Sequence, residues 1–229
     1  LFIGLAISTR ITFLIYLPFF IIFVTKEWKK MIGYTMFSLL PLFITNKIID
    51  FLRDGSTSSV LAGSTNNFLG FFLDGSLGSG FNQISPFLIL YPMVIFLYYK
   101  ENNITFKKLI NYSTIAVLVF FSTSYFHPHY LVWITPAIML AMIYNKKIIW
   151  SLALLILSGY LLAEAYFTSG VTWGLFSPAS PDFFPNFSSG LQDIIYKYGQ
   201  STVVSSFHTI FVFMAGIICY ILYRQRNEQ

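Results

Sequence analysis

Residues 130–167 read YLVWITPAIMLAMIYNKKIIWSLALLILSGYLLAEAYF, and this stretch decides the fold. Two apolar runs lie on either side of Lys146 and Lys147, and neither run carries a charge near its centre. A helix needs about 20 apolar residues to cross the hydrocarbon core of a bilayer, and shorter ones use flanking residues or tilt. The stretch therefore predicts two membrane-spanning helices that are joined by a short basic turn.

The same pattern recurs along the whole chain, where apolar runs alternate with short polar segments. It predicts an all-α fold, a polytopic transmembrane helix bundle of about seven or eight spans that forms a single domain over residues 1–229. The first run is expected to be the end of a truncated helix, so that the chain is the C-terminal part of a longer protein. The runs are 1–9, 11–25, 31–49, 86–99, 106–124, 130–144, 148–167 and 207–223.

Composition supports a membrane protein and excludes several other classes. Hydrophobic residues make up 56% of the chain and charged residues 10%, with a mean hydropathy of +0.69, whereas a soluble domain carries about 25% charged residues. The net charge of +5 lies in short clusters between apolar runs, so no nucleic-acid partner is expected. Cys219 is the single cysteine, which excludes a disulfide framework.

The distribution of basic residues predicts the orientation. Four alternate connectors, at 26–30, 100–108, 145–147 and 224–229, hold ten of the fourteen Lys and Arg residues. Since short cytoplasmic loops are rich in Lys and Arg, these connectors and the C-terminus are expected in the cytoplasm. The two long loops, 50–85 and 168–206, are then extracytoplasmic. Both contain aromatic residues, which favours folded loops that carry function.

A polar segment at one predicted outer boundary carries the most informative residues. His127 and His129 flank Pro128, and Tyr130 and Trp133 follow at the start of a span. An interfacial aromatic belt explains the tyrosine and the tryptophan but not the two histidines. Two histidines two residues apart do not share a helical face, so a metal site is not predicted. Hydrogen bonding to phosphate or to sugar hydroxyls is the favoured interpretation.

The run FHPHYLVWITP at 126–136 resembles the HP-x-Y-L-x-W-x-x-P segment of polytopic GT-C glycosyltransferases, which use polyprenyl-phosphate sugars. The opening GLAISTR at 4–10, followed by an L-P pair at 17–18, is similar to the G-L-A-x-x-x-K … L-P hairpin of that family. Arg10 stands where the family usually has a lysine, which keeps the positive charge. The order of spans and loops also fits the family.

The resemblance implies a mannosyltransferase-like enzyme that moves a hexose from a polyprenyl-phosphate donor to a glycan, lipid or protein acceptor outside the cytoplasm. The family's candidate base is an acidic residue in its first outer loop, expected here in the missing N-terminal part, so the catalytic residue stays unknown. The lipid phosphate or sugar is expected to bind Arg10, His127, His129, Tyr130 and Trp133. No cofactor is assigned, and a divalent cation stays open.

Arg10 also has an interpretation from its charge alone. An arginine can hold a phosphate through two hydrogen bonds and stabilise the charge on a leaving group. The alternative is an arginine that reaches outer headgroups without a catalytic role.

Two other functions stay open. One is a polytopic transporter or flippase for a lipid or small solute, and the other is a non-catalytic membrane scaffold. The chain contains neither a P-loop nor a Rossmann fingerprint, which argues against a soluble nucleotide-sugar site.

Overall fold

A computed structural model describes residues 11–52, 86–123, 130–167 and 193–225. Within these ranges the regular structure is entirely helical and contains no strand, so the all-α prediction is confirmed there. The chain divides into two compact units, Leu1–Tyr125 with Arg226–Gln229, and Phe126–Gln225. The single domain over 1–229 stays a prediction.

The first unit begins with a 3-10 helix, Ile11–Tyr16, that continues into α1, Leu17–Val24. Pro18 lies in the first turn of α1, where a missing N–H is tolerated. In a 3-10 pattern the N–H of residue 18 would donate to the carbonyl of Ile15, but a proline has no N–H. The Tyr91 hydroxyl donates to that carbonyl instead, at 2.9 Å. A side chain of another helix therefore replaces a backbone donor.

Helix α2, Trp28–Leu52, folds back against α1. The connecting turn is closed by the Thr25 hydroxyl, which accepts from the Glu27 N–H at 3.2 Å. Leu17 and Ile21 of α1 form a buried cluster on which Met31, Leu39 and Leu42 pack. Apolar packing between the two helices therefore holds this hairpin.

Helices α3, Pro86–Tyr99, and α4, Phe106–Thr123, also belong to the first unit, and both contact α1. Phe19 of α1 is fully buried between the rings of Tyr91 and Tyr98, at 6.2 and 5.6 Å. The Phe87 and Phe120 rings meet edge to face at 5.2 Å, a favoured geometry for aromatic pairs. Aromatic rings therefore form part of the core of this unit, together with buried aliphatic side chains.

The second unit contains α5, Tyr130–Tyr144, a 3-10 turn, Lys146–Ile148, α6, Ile149–Phe167, and α7, Gln200–Arg224. Helices α6 and α7 pack on each other. Buried Asn145 ends α5, and its amide donates to the Ala141 carbonyl at 3.0 Å. Residues 193–198 are also helical, and Gly199, with φ of 84°, separates them from α7.

The helix bounds agree with most of the apolar runs. The runs predicted at 86–99 and 130–144 match α3 and α5, but α7 begins at Gln200 rather than at residue 207. The hydroxyls of Ser206 and Thr209 bond to carbonyls one turn back, at 2.9 and 2.7 Å, so these polar residues fit inside a helix. The run at 1–9 lies outside the described residues.

One helix of the described part, Gln200–Arg224, is both long and apolar enough to cross a membrane. Shorter apolar helical segments cover Phe13–Val24, Pro86–Tyr99 and Thr135–Tyr144.

Candidate functional site

The residues predicted to bind the lipid phosphate or sugar lie at the edge of the described part of the chain. Arg10, His127 and His129 lie outside the described residues. Tyr130 is the first residue of α5, and Trp133 lies within its first turn. Helix α5 contains Pro136, as the sequence predicts for a span with a proline near its start. The histidines therefore immediately precede a helix, and the binding site stays a prediction.

The best-defined polar site of the described residues is centred on Glu101, after the end of α3. One carboxylate oxygen, Oε1, accepts from the Tyr112 hydroxyl at 2.7 Å. The other, Oε2, pairs with the Lys108 ammonium at 2.8 Å. The side chains of Glu101 and Lys108 are only 10% and 12% exposed. Both oxygens of a largely buried carboxylate are thus held by residues of α4.

Further contacts hold the backbone of Glu101 at the end of α3. The Glu101 N–H donates to the Tyr98 carbonyl at 3.1 Å, which extends the last turn of α3. The Tyr98 ring lies 5.1 Å from the Tyr112 ring. Lys26, from the connector after α1, donates to the Glu101 carbonyl and lies over the Tyr99 ring at 5.7 Å. One residue therefore joins the ends of three helices.

The chemistry that this cluster can perform follows from its hydrogen bonds. A carboxylate that accepts a tyrosine hydroxyl and pairs with a lysine is stabilised in its charged form. Because this carboxylate is largely buried against α4, it is poorly placed to take a proton from a substrate. Breaking a buried ion pair leaves one uncompensated charge, which is strongly destabilising. The Glu101 cluster therefore acts as a structural tie between helices.

A second polar surface lies along the first turns of α7. A shallow cavity of about 400 Å³ is lined by Ser201, Thr202, Ser205, Ser206 and Thr209. Since the hydroxyls of Ser206 and Thr209 donate to carbonyls of their own helix, they have less capacity to bind a ligand. Among the residues that the structure describes, no group of three His, Cys, Asp or Glu side chains could hold a metal ion.

Sequence reasoning missed the role of Glu101. The sequence predicts the connector 100–108 only as a basic turn that sets the orientation. The signal in the sequence was a lone glutamate in a basic connector, Glu101 among Lys100, Lys107 and Lys108. Its partner Tyr112 lies eleven residues further on, and only the packing of α3 on α4 brings the two side chains together.

No family model, no curated protein and no solved structure matches the chain.

Proposed function

We propose that the chain is part of a polytopic membrane glycosyltransferase of the GT-C type, with about seven or eight spans. It transfers a hexose, mannose-like, from a polyprenyl-phosphate donor to an acceptor on the extracytoplasmic face. The observation that carries the proposal is the FHPHYLVWITP segment at 126–136, whose second half begins α5. The resemblance of this segment to the family supplies the reaction type.

The surface of the described helices supports a lipid environment. Large apolar side chains are exposed along α2, including Met36 at 64% and Phe43 at 61%. Trp150 of α6 and Phe213 of α7 are exposed by 80% and 63%. A protein in water rarely exposes large contiguous apolar patches, whereas lipid chains solvate such side chains.

One contact between connectors supports the predicted orientation. In the first unit, Lys26 of one basic connector donates to Glu101 of the next basic connector, so these two connectors lie at the same end. This contact agrees with an alternation in which both connectors face the cytoplasm.

The proposed chemistry assigns separate tasks to the predicted binding residues. Negative charge grows on the lipid phosphate as the glycosidic bond breaks. Arg10 would stabilise that charge through paired hydrogen bonds. His127 and His129 would donate to phosphate or sugar oxygens, while Tyr130 and Trp133 would line the sugar position. The general base that activates the acceptor stays unassigned.

The direct test is sugar transfer by the full-length protein in membranes, with a radiolabelled polyprenyl-phosphate hexose as donor. Arg10→Ala should lower kcat/KM by about 10²-fold or more, in the range measured for single charge-stabilising donors. Arg10→Lys should recover part of that loss because the charge remains. His129→Ala should lower kcat/KM by about tenfold, the cost of one hydrogen bond to a charged group.

Two matched variants serve as controls. His208→Ala changes the third histidine of the chain, and Arg224→Ala changes an exposed arginine at the end of α7. Arg224→Ala should keep transfer within about twofold, since a change at an exposed position away from a site is usually small. His208→Ala should do the same per folded protein, because the half-buried His208 is not one of the proposed binding residues. Full activity in both Arg10→Ala and His129→Ala would remove these residues from the site. Movement of the labelled lipid across the bilayer without transfer would instead favour the flippase alternative.

A further inference from the structure

Four lysines form one surface where four helices of the first unit end or begin. This four-lysine surface consists of Lys26, Lys29, Lys100 and Lys107. Lys26 is joined to the end of α3 through the Glu101 carbonyl. The Phe23 ring of α1 lies 6.4 Å from the Phe106 ring, which brings the first residue of α4 to the same place. The surface is therefore built by the fold from segments about 75 residues apart.

The charge at this surface is not balanced by nearby carboxylates. The connectors 26–30 and 100–108 together contain six lysines and two glutamates. Glu27 pairs with Lys30 at 2.8 Å, and Glu101 pairs with Lys108 at the same distance. Within the described part of the chain, the four remaining lysines have no carboxylate partner. A net charge of four positive units therefore remains, which is six lysines less two glutamates.

Aromatic rings hold three of the four ammonium groups in place. Lys29 lies over Trp28 at 5.7 Å, and Lys100 lies over Phe96 at 5.3 Å. Lys26 lies over Tyr99 at 5.7 Å. The exposed fractions of Trp28, Phe96 and Tyr99 are 66%, 56% and 43%. Exposed tryptophan and tyrosine collect at the level of lipid headgroups, which favours that level for the ammonium groups of Lys29 and Lys26.

We propose that the four-lysine surface binds the phosphate groups of anionic phospholipids in the adjoining leaflet. The proposal rests on the membrane placement in the proposed function but not on the transfer reaction. Lysine ammonium groups bind phosphate as point charges and hold it by charge-assisted hydrogen bonds. A soluble acidic protein or a nucleic acid would satisfy the lysines but would leave the exposed Trp28 and Phe96 rings in water. A phospholipid satisfies both, because its chains contact the rings and its phosphate contacts the ammonium groups.

The test measures lipid selectivity of the purified chain in phosphatidylcholine bilayers. Spin-labelled phosphatidylglycerol and spin-labelled phosphatidylcholine are compared by electron spin resonance, which gives the relative association constant at the protein surface. Wild type should prefer phosphatidylglycerol. Since one lysine near an anionic surface changes affinity about fivefold, Lys29→Gln/Lys100→Gln should lower the preference by between about five- and 25-fold. Sodium chloride at 1 M should reduce it as well, because the screening length falls to about 3 Å.

Two further variants test whether the loss of preference depends on this surface and on its charge. Lys197 also lies over an exposed tyrosine ring, Tyr198, at 5.3 Å, but it lies outside the four-lysine surface. Lys197→Gln should therefore keep the preference for phosphatidylglycerol. Lys29→Arg/Lys100→Arg keeps the charge and should keep the preference as well. An unchanged preference in the glutamine double variant, or an equal loss in Lys197→Gln, overturns the proposal. Complete competition by millimolar glycerol phosphate also overturns it, because the site would then take a free phosphate ester.

A failure of the lipid-binding proposal can be distinguished from a failure of the proposed function. Extraction of the reconstituted membranes with alkaline carbonate shows first whether the chain stays in the bilayer. A chain that is released contradicts the membrane placement, and with it both proposals. A chain that is retained without selectivity for phosphatidylglycerol contradicts only the lipid-binding proposal.

Discussion

Replacing Tyr112 by phenylalanine removes one hydroxyl from the Glu101 cluster and leaves the ring in place. Tyr112 is 1% exposed, and its hydroxyl donates to Glu101 Oε1 at 2.7 Å. A hydrogen bond to a charged group is worth about 1.5–3 kcal/mol. The contact of the Tyr112 ring with Tyr98, at 5.1 Å, is kept in the variant. We therefore expect Tyr112→Phe to lower the free energy of unfolding by about 2 kcal/mol.

A double-mutant cycle with Glu101→Ala isolates this hydrogen bond from other effects of the substitution. Glu101→Ala alone should cost about 3–5 kcal/mol, because Lys108 then remains buried without its partner. In the Glu101→Ala background, Tyr112→Phe should cost much less than it does in wild type. The difference between the two costs is the coupling free energy, expected at about 1.5 kcal/mol or more.

The assay is reversible unfolding in mixed detergent micelles, followed by far-ultraviolet circular dichroism. Tyr34→Phe is the matched control, since Tyr34 is 44% exposed on α2; it should change stability by less than about 0.5 kcal/mol. A coupling free energy below about 0.5 kcal/mol would refute the reasoning, because distant and independent residues reach that value. The role of Glu101 as a tie between helices would then be wrong.

Three other substitutions in the described helices have expected outcomes in the same unfolding assay. Gly199→Ala should lower the free energy of unfolding by about 1–3 kcal/mol, because its φ of 84° strains any residue with a Cβ. Gly216→Ala, in open space inside α7, should raise it by about 0.5–1 kcal/mol. An equal loss in both variants would contradict the backbone explanation. Tyr91→Phe should cost about 1 kcal/mol through the lost hydrogen bond to Ile15, and no loss would show that the carbonyl finds another donor. Phe19 is fully buried, so Phe19→Ala should cost about 3–5 kcal/mol of stability. Phe43 is 61% exposed, so Phe43→Ala should cost less than about 1 kcal/mol. Similar costs at the two positions would contradict the assigned core.

Helix positions were largely predictable because the signal is local. Charged connectors interrupt apolar runs, and Pro86 begins one helix without losing a hydrogen bond. The predicted ends of α3 and α5 therefore agree with the structure. The start of α7 was missed because serine and threonine are polar by hydropathy. Inside a helix their hydroxyls can donate to its carbonyls, as Ser206 and Thr209 do.

The polar contacts between helices could not be predicted from the sequence, because they depend on how the helices pack. Nothing local to Glu101 selects Tyr112 or Lys26 as its partners. The 3-10 geometry of Ile11–Tyr16 was also missed, since the apolar run at 11–25 looks uniform by hydropathy. The predicted binding residues Arg10, His127 and His129 lie outside the described part, so their assignment still depends on the resemblance.

The hydrogen bond from Tyr91 to Ile15 makes two distant positions depend on each other over evolution. Tyr91 donates to a carbonyl with which Pro18 cannot form a hydrogen bond, because proline has no N–H. A lineage that replaces this proline regains a backbone N–H and releases position 91 from the need for a hydroxyl. Phenylalanine at position 91 should therefore accompany residues other than proline at position 18 in homologous sequences. The reverse combination, proline with phenylalanine, should be rare.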